Sequence, residues 1–264
     1  MELRGKLSKK AKLLIELIGT ALVLGVWIFV TEKGYVSKAI LPSPIKIIKS
    51  FYELHFEDAL VRNAWNSFML NSIGLIEAVV VAVPLGMLIG LNPISRALTE
   101  RYITAARFVP LTALVGVFIA WFGIGVNMKI QFLAFSIFLY LLPVVIQRVD
   151  EVEDVYVQTV KTLGASRWQT VTSVFIPAVI SRVFDSIRVL AALSWTYIVV
   201  AEMVNSNGGG IGALAYISTR QSRMDKVFAI IITIMLIGLL QDQFLILMDK
   251  ILFRYKYAKK EGSR

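Results

Sequence analysis

Cysteine is absent from the sequence, and histidine occurs once, at His55. The first absence excludes disulfides, thiolate metal sites and thiol nucleophiles. A lone imidazole without a thiolate cannot build a structural zinc site, so no metal is expected and His55 is assigned an interfacial place. No Gly-x4-Gly-Lys-Ser/Thr phosphate loop occurs either, so this chain does not hydrolyse ATP in the P-loop manner. No nucleophile, base and orienting group stand in a recognisable constellation, and no catalytic residue is assigned. Charge is scarce: 17% of residues are Asp, Glu, Lys or Arg, against about a quarter in water-soluble domains.

What fills the sequence instead is apolar. Hydrophobic residues make up 57% of the chain and mean hydropathy is +0.71. Runs long enough to cross a bilayer as helices predict six spans at about 13–30, 68–91, 108–125, 130–147, 187–204 and 227–248. The fold class expected is therefore an all-α membrane protein with six transmembrane helices. The first run is too long, and too poor in small-residue cleavage signals, to be a removed signal peptide. The net charge of +10 sits at helix ends rather than along one face, which points to membrane topology and away from nucleic acid. With both termini placed in the cytoplasm, the inside segments hold 19 of the 28 Lys and Arg residues, counting Arg188 at the membrane edge. This divides the chain into a cytoplasmic N-terminus 1–12, a six-helix transmembrane domain 13–250 and a basic cytoplasmic tail 251–264.

Two connections are longer than turns require. The external segment 31–67 contains Leu41-Pro42-Ser43-Pro44, a rigid extended stop, because each Pro fixes its own φ and biases its predecessor away from helix. Ile45, Ile47, Ile48, Phe51, Leu54 and Phe56 then interleave with charges as an amphipathic helix on the outer interface. The cytoplasmic loop 148–186 is the more telling one. Early acids and a late Lys161 suit a helix ending at Leu163, with Gly164 as its C-terminal cap. Ser166 caps a second short helix, expected to stop before Pro177. Val157, Val160, Leu163, Trp168 and Val171 give this projecting elbow more apolar surface than a solvated turn needs.

Gly164, nine residues, then Val174-x-Ile176-Pro177 resembles the cytoplasmic signature of ABC-importer permeases of the binding-protein-dependent transport family. Leu41-Pro42-Ser43-Pro44, Trp121-Phe122-Gly123-Ile124-Gly125, Ala201-Glu202-Met203, and Gly209-Gly210-Ile211-Gly212 ahead of Asp225-Lys226-Val227 are similar to its nitrate/sulfonate/taurine-type branch. The resemblance covers about residues 40–250 in order. It implies a type I importer fold in the cell inner membrane, a second permease copy (a homodimer), an external solute-binding protein, and a cytoplasmic ABC ATPase dimer that carries the ATP–Mg cofactor this chain lacks. The docking loop it implies comprises Gln158, Thr159, Val160, Leu163, Gly164, Ala165, Ser166, Trp168, Ile176 and Pro177. Gln158-Thr159-Val160 stands where the family has Glu-Ala-Ala, so an ion pair to the ATPase through position 158 is not expected.

Polar residues inside spans are costly and mark function by default. Glu77 sits near the bilayer midplane, facing the bundle interior or a dimer axis, with a structural partner and a translocation-path role both open. Asn71 and Ser72 are placed on the same surface. Ser194 and Thr196 are further pore-lining candidates, and Glu202 is expected to face an external vestibule. Glu16 is read as pairing with Lys12, and Asp242 as half of a structural ion pair. The Gly208-Gly209-Gly210 run is read as a plain turn. The resulting reading is the permease subunit of an ATP-driven importer of a small polar nutrient: nitrate, sulfonate, taurine, bicarbonate, a vitamin or a pyrimidine precursor. Two other readings stand beside it, an ion-coupled secondary transporter using Glu77 and a membrane scaffold or sensor that recruits a cytoplasmic protein.

Overall fold

A computed structural model describes residues 7–258; the first six and last six residues of the two expected cytoplasmic ends lie outside it. The described chain is helical. In order it forms α1 (Lys9–Glu32), α2 (Pro44–Phe56), α3 (Leu60–Leu91), α4 (Pro93–Ala106), α5 (Val115–Phe122), α6 (Val126–Asp150), α7 (Asp154–Thr162), α8 (Arg167–Thr170), α9 (Ile176–Val204), α10 (Ile211–Arg220), α11 (Met224–Leu252) and α12 (Arg254–Ala258). It divides into two compact units, one comprising the described residues up to Val61 with Leu214–Ile232, the other Arg62–Ala213 with the residues from Thr233 onward.

In the first unit, α1 is apolar all round and no part of its most apolar stretch is buried, the mark of a helix whose solvent is lipid. Ser8 caps it, its Oγ accepting from Ala11 N at 3.2 Å. The proline-flanked stop at 41–44 leads straight into α2. Ser43 is the N-cap and Pro44 takes the first helical position, where its missing N–H is no loss. Ile47, Ser50 and Leu54 of α2 are buried, while Ile45, Ile48, Tyr52 and Phe56 stay exposed, as an interfacial helix requires. Buried Ser50 donates to the Asp225 carbonyl at 3.1 Å. Arg223 reaches Glu53 at 2.6 Å and Asp225 at 2.9 Å. Lys226 reaches Asp58 at 2.6 Å. The Asp225-Lys226 pair thus ties α2 to the start of α11.

The second unit is built on α6. Helix α6, with Phe132, Leu133, Ile137, Leu141 and Val145 all buried, packs along α9. A stripe of small residues on α3, Gly74, Ala78, Ala82, Gly86 and Gly90, recurs every fourth position and lies against α6. A Cβ at Gly74 would meet Leu133 at 2.8 Å, and one at Gly86 would meet Val145 at 2.6 Å. Small residues at helical spacing are how membrane helices approach closely when water supplies no drive.

Among the described residues, five helices are long and apolar enough to cross a membrane alone; a sixth span counts if α4 and the segment Leu111–Phe122 are taken together across a 93° bend. Of the span expected at 108–125 only Leu111–Phe122 is helical, too short to cross alone, and with α4 it forms a broken span or a re-entrant loop. Chain between Arg107 and Pro110 leaves the helix, Pro110 precedes a 3-10 turn, and Gly123, at φ +71°, ends α5. Two other boundaries move. Helix α3 begins at Leu60, about two turns before the span expected from 68. Pro177 does not terminate a short helix. Helix α8 passes through a π-helical turn, Val171–Phe175, into α9, and Pro177 follows that turn inside one helical run, Arg167–Val204.

Candidate functional site

The elbow between Asp154 and Pro177 has the predicted capping geometry at Gly164 and Ser166. Helix α7 closes with a Schellman motif: Ala165 N donates to Val160 O at 3.0 Å and Gly164 N to Lys161 O at 2.9 Å, with Gly164 at φ +81°. That left-handed backbone is what glycine tolerates and most residues do not. Ser166 then caps α8 in a full capping box, its Oγ accepting from Gln169 N at 3.2 Å while Gln169 Oε1 accepts from Ser166 N at 2.7 Å. Asp154 and Lys161 occupy the first and last turns of α7. The earlier acids Asp150 and Glu151 belong instead to the end of α6. Asp150 takes a two-pronged bond from Arg96, both at 2.6 Å. Glu151 pairs with Arg148 at 2.7 Å, and its carbonyl accepts from Arg182 at 2.6 Å. The elbow therefore projects from a base fixed to three helices.

Its outer surface is exposed and partly apolar. Leu163 is 81% exposed and Trp168 72%, with Gln158, Thr159, Gly164, Ser166 and Pro177 exposed and Val160, Ala165 and Ile176 half-buried. Beside it, Tyr156, Val160, Val174, Pro177 and Tyr255 line a concavity of about 570 Å³. Tyr255 closes one side by donating to Pro177 O at 2.9 Å.

The membrane-embedded candidates do not converge on one surface. Glu77 lies near the middle of α3, half-buried, with Oε2 accepting from Gln131 Nε2 at 2.9 Å. It opens on a cleft of about 330 Å³ whose other walls include Phe118, Trp121, Phe122 and Phe135. Asn71 and Ser72 are not on that face, because residues five or six apart on a helix point about 120–140° away from each other. Asn71 is fully buried, and neither of its amide atoms has a partner among the described residues. Ser194 is fully buried and donates back to Ala191 O at 2.7 Å, whereas Thr196 is exposed. The expected ion pair of Asp242 is present: Arg188 reaches it through Nε at 3.0 Å and Nη2 at 2.9 Å. Lys12 and Glu16 approach to 3.7 Å at the surface.

Glu202 departs most from expectation. It does not face a vestibule but is fully buried under the 208–212 turn. Oε1 accepts from Ser67 Oγ at 2.7 Å and Oε2 from Gly212 N at 2.8 Å. Ser67 Oγ in turn accepts from Ile211 N, and Asn63 Oδ1 from Gly210 N, both at 2.8 Å. Buried Lys129 donates to Gly209 O at 3.1 Å. The glycine run is therefore a fitted cap rather than a plain turn. Asn63, Ser67, Lys129 and Gln131 were not singled out from the sequence; Lys129, the single charged residue of α6 before Arg148, was the available signal.

Long apolar helices and an exposed elbow on an anchored base are the parts of a transporter permease. The chain matches, over residues 82–252, the family described as binding-protein-dependent transport system inner membrane component, and it belongs to that family. Among its relatives is a Bacillus subtilis permease protein named for aliphatic sulfonates transport, SsuC, 26% identical over 89% of this chain and 85% of the relative. The Escherichia coli taurine transport system permease protein TauC is 28% identical over 85% and 84%. The formylaminopyrimidine transport permease protein ThiX of Halalkalibacterium halodurans is 26% identical over 76% and 80%. A solved chain of the inward-facing MetNI methionine ABC transporter shares the fold, with a TM-score of 0.60 at 16% identity over 74% of this chain and 95% of that one.

Proposed function

We propose that this chain is the membrane-spanning subunit of an ABC importer, driven by a separate cytoplasmic ATPase that docks on the elbow between Asp154 and Pro177. The observation that carries the reading is the elbow: two capped helices present Leu163 and Trp168 to water on a base anchored by Arg96, Arg148 and Arg182. Exposed apolar surface on so rigid a support is built to bind. An ATPase moving the elbow moves α6 and α9 directly, since α8 runs through the π-turn into α9. Nucleotide and a substrate-loaded external binding protein would then bias one equilibrium between inward- and outward-open arrangements. Two permease copies form the pathway, with both termini cytoplasmic in the inner membrane. The solute is a small polar nutrient within the range its relatives are named for, and Glu77 in the membrane favours a pyrimidine precursor over a sulfonate or taurine.

Purification of the full-length chain from its native membrane tests this. A P-loop ATPase should accompany it in equal stoichiometry, and reconstituted complex should hydrolyse ATP faster with a loaded binding protein. A chain that purifies without an ATPase yet still transports would overturn the reading.

A further inference from the structure

We infer that the Glu77 cleft binds a small organic cation, one whose positive charge is carried on an alkylated or conjugated nitrogen. The inference rests on the importer reading for what the ligand is for, and on the cleft alone for what the ligand is. Glu77 stands near the centre of the 32-residue α3, deep in the apolar part of the chain, where a carboxylate is expensive to keep without a partner. Among the described residues its one polar contact is the neutral amide of Gln131 at 2.9 Å. No Lys or Arg lines the cleft. A negative group at this depth with no positive side chain in its cleft selects for positive charge in whatever enters.

The remaining walls say what kind of positive charge. Phe118 holds the rings of Trp121, Phe122 and Phe135 at centroid distances of 5.8, 5.7 and 5.5 Å, a cluster that also lines the cleft. Aromatic faces are negative and attract cations, best those that are weakly hydrated, such as alkylated ammonium or protonated heterocycles. A bare metal ion is excluded by the donor set, because one carboxylate and one amide fall short of the six or more oxygens that hard cations require. An anion would meet repulsion from both Glu77 and the ring faces. The volume of about 330 Å³ suits a compact molecule, at the small end of ligand pockets.

The test compares choline with its uncharged isostere 3,3-dimethyl-1-butanol and with the anion isethionate, titrated onto the full-length chain in nanodiscs with any ATPase that accompanies it. Choline should bind saturably, with the neutral isostere at least about ten-fold weaker and isethionate not binding. Glu77→Gln should erase the difference between choline and the isostere, and Trp121→Ala should weaken choline by about three- to ten-fold. Equal binding of choline and the isostere to the unmodified chain would show an apolar groove and overturn the inference, as would tighter isethionate, no choline binding, or choline binding indifferent to Glu77→Gln. The isostere comparison needs no variant to fold. The binding measurement also needs no ATPase, so a failed co-purification overturns the importer reading and leaves this result to stand or fall separately.

Discussion

Gly210 and Glu202 are so close that a Cβ on the glycine would lie 2.2 Å from the Glu202 carboxylate. Gly210 also holds φ at +107°, a backbone region that side chains rarely enter. Both constraints follow from the same fact: the 208–212 turn lends backbone N–H groups to a carboxylate and to its neighbours Ser67 and Asn63. Gly210→Ala should therefore destabilise the protein severely, with little folded material recovered in detergent. Glu202→Gln keeps one acceptor but turns an NH2 toward a donor, which costs about 1–3 kcal/mol. Thermal unfolding in detergent should show Glu202→Gln and Ser67→Ala melting several degrees below the unmodified chain. If both melt unchanged, the turn is not held by this network.

The stripe of small residues on α3 makes a second, independent demand. At Gly86 a Cβ would come within 2.6 Å of Val145 Cβ and 3.3 Å of the Leu142 carbonyl. Backbone cannot retreat as a long side chain can, so Gly86→Ala should cost about 1–3 kcal/mol and Gly86→Leu more. Gly116, which has open space around it, serves as the control. Gly116→Ala should leave the melting temperature within about a degree or raise it slightly.

How much of this was legible in the sequence depends on whether the signal was local. The elbow was readable because caps are short-range chemistry: Gly164 and Ser166 act on residues three to five positions away. The apolar runs were readable because bilayer thickness sets their length. The span at 108–125 was read as complete because hydropathy registers neither that its helix is confined to Leu111–Phe122 nor the 93° bend that joins it to α4. The Glu202 network was not legible, since Ser67 and Ile211 are 144 positions apart and meet only through folding. Gln131 likewise gave no sign that it would hold Glu77. The recurrence of Gly or Ala at every fourth place from 74 to 90 was present in the sequence and is a pattern that helical spacing could have exposed.

Asn71 offers a test of whether stability has been conceded to function. Its amide is buried and lacks partners among the described residues, and burying an unsatisfied amide costs about 1–3 kcal/mol. Asn71→Leu, close in volume, should raise the melting temperature of the detergent-purified chain. A role in the pathway requires that the same substitution lower uptake in proteoliposomes. Higher stability with full uptake would make Asn71 a structural relic.

The Arg223–Glu53 pair should be visible as a pH dependence. Its hydrogen bond with the Arg223 guanidinium holds the Glu53 carboxyl below its ordinary value of 4.5. A depressed carboxyl contributes stability that is fully present above its unfolded-state pKa and fades as pH falls through the folded-state value. Melting temperature should thus be insensitive to this pair from pH 8 to about 5 and should drop below about 4.5. Glu53→Gln should lower stability at neutral pH and flatten the acid limb. An acid limb unchanged by Glu53→Gln would assign that dependence to other carboxylates.

The elbow yields the sharpest separation between folding and coupling. Trp168 is 72% exposed, so Trp168→Asp removes no buried contact and should leave insertion and melting temperature within about 0.5 kcal/mol of the parent. It should nevertheless abolish the ATP hydrolysis stimulated by a loaded binding protein, because a charge would enter an apolar contact. At Gly164 the added Cβ meets open space, so only its φ of +81° matters. Asn, which tolerates left-handed backbone, should preserve coupling at Gly164, whereas Val should add strain of about 1–2 kcal/mol or more and uncouple. Stimulated ATPase rates for Gly164→Asn, Gly164→Val and Trp168→Asp, measured on equal amounts of inserted protein, decide it. Normal stimulation in Trp168→Asp would mean that the ATPase grips some other surface.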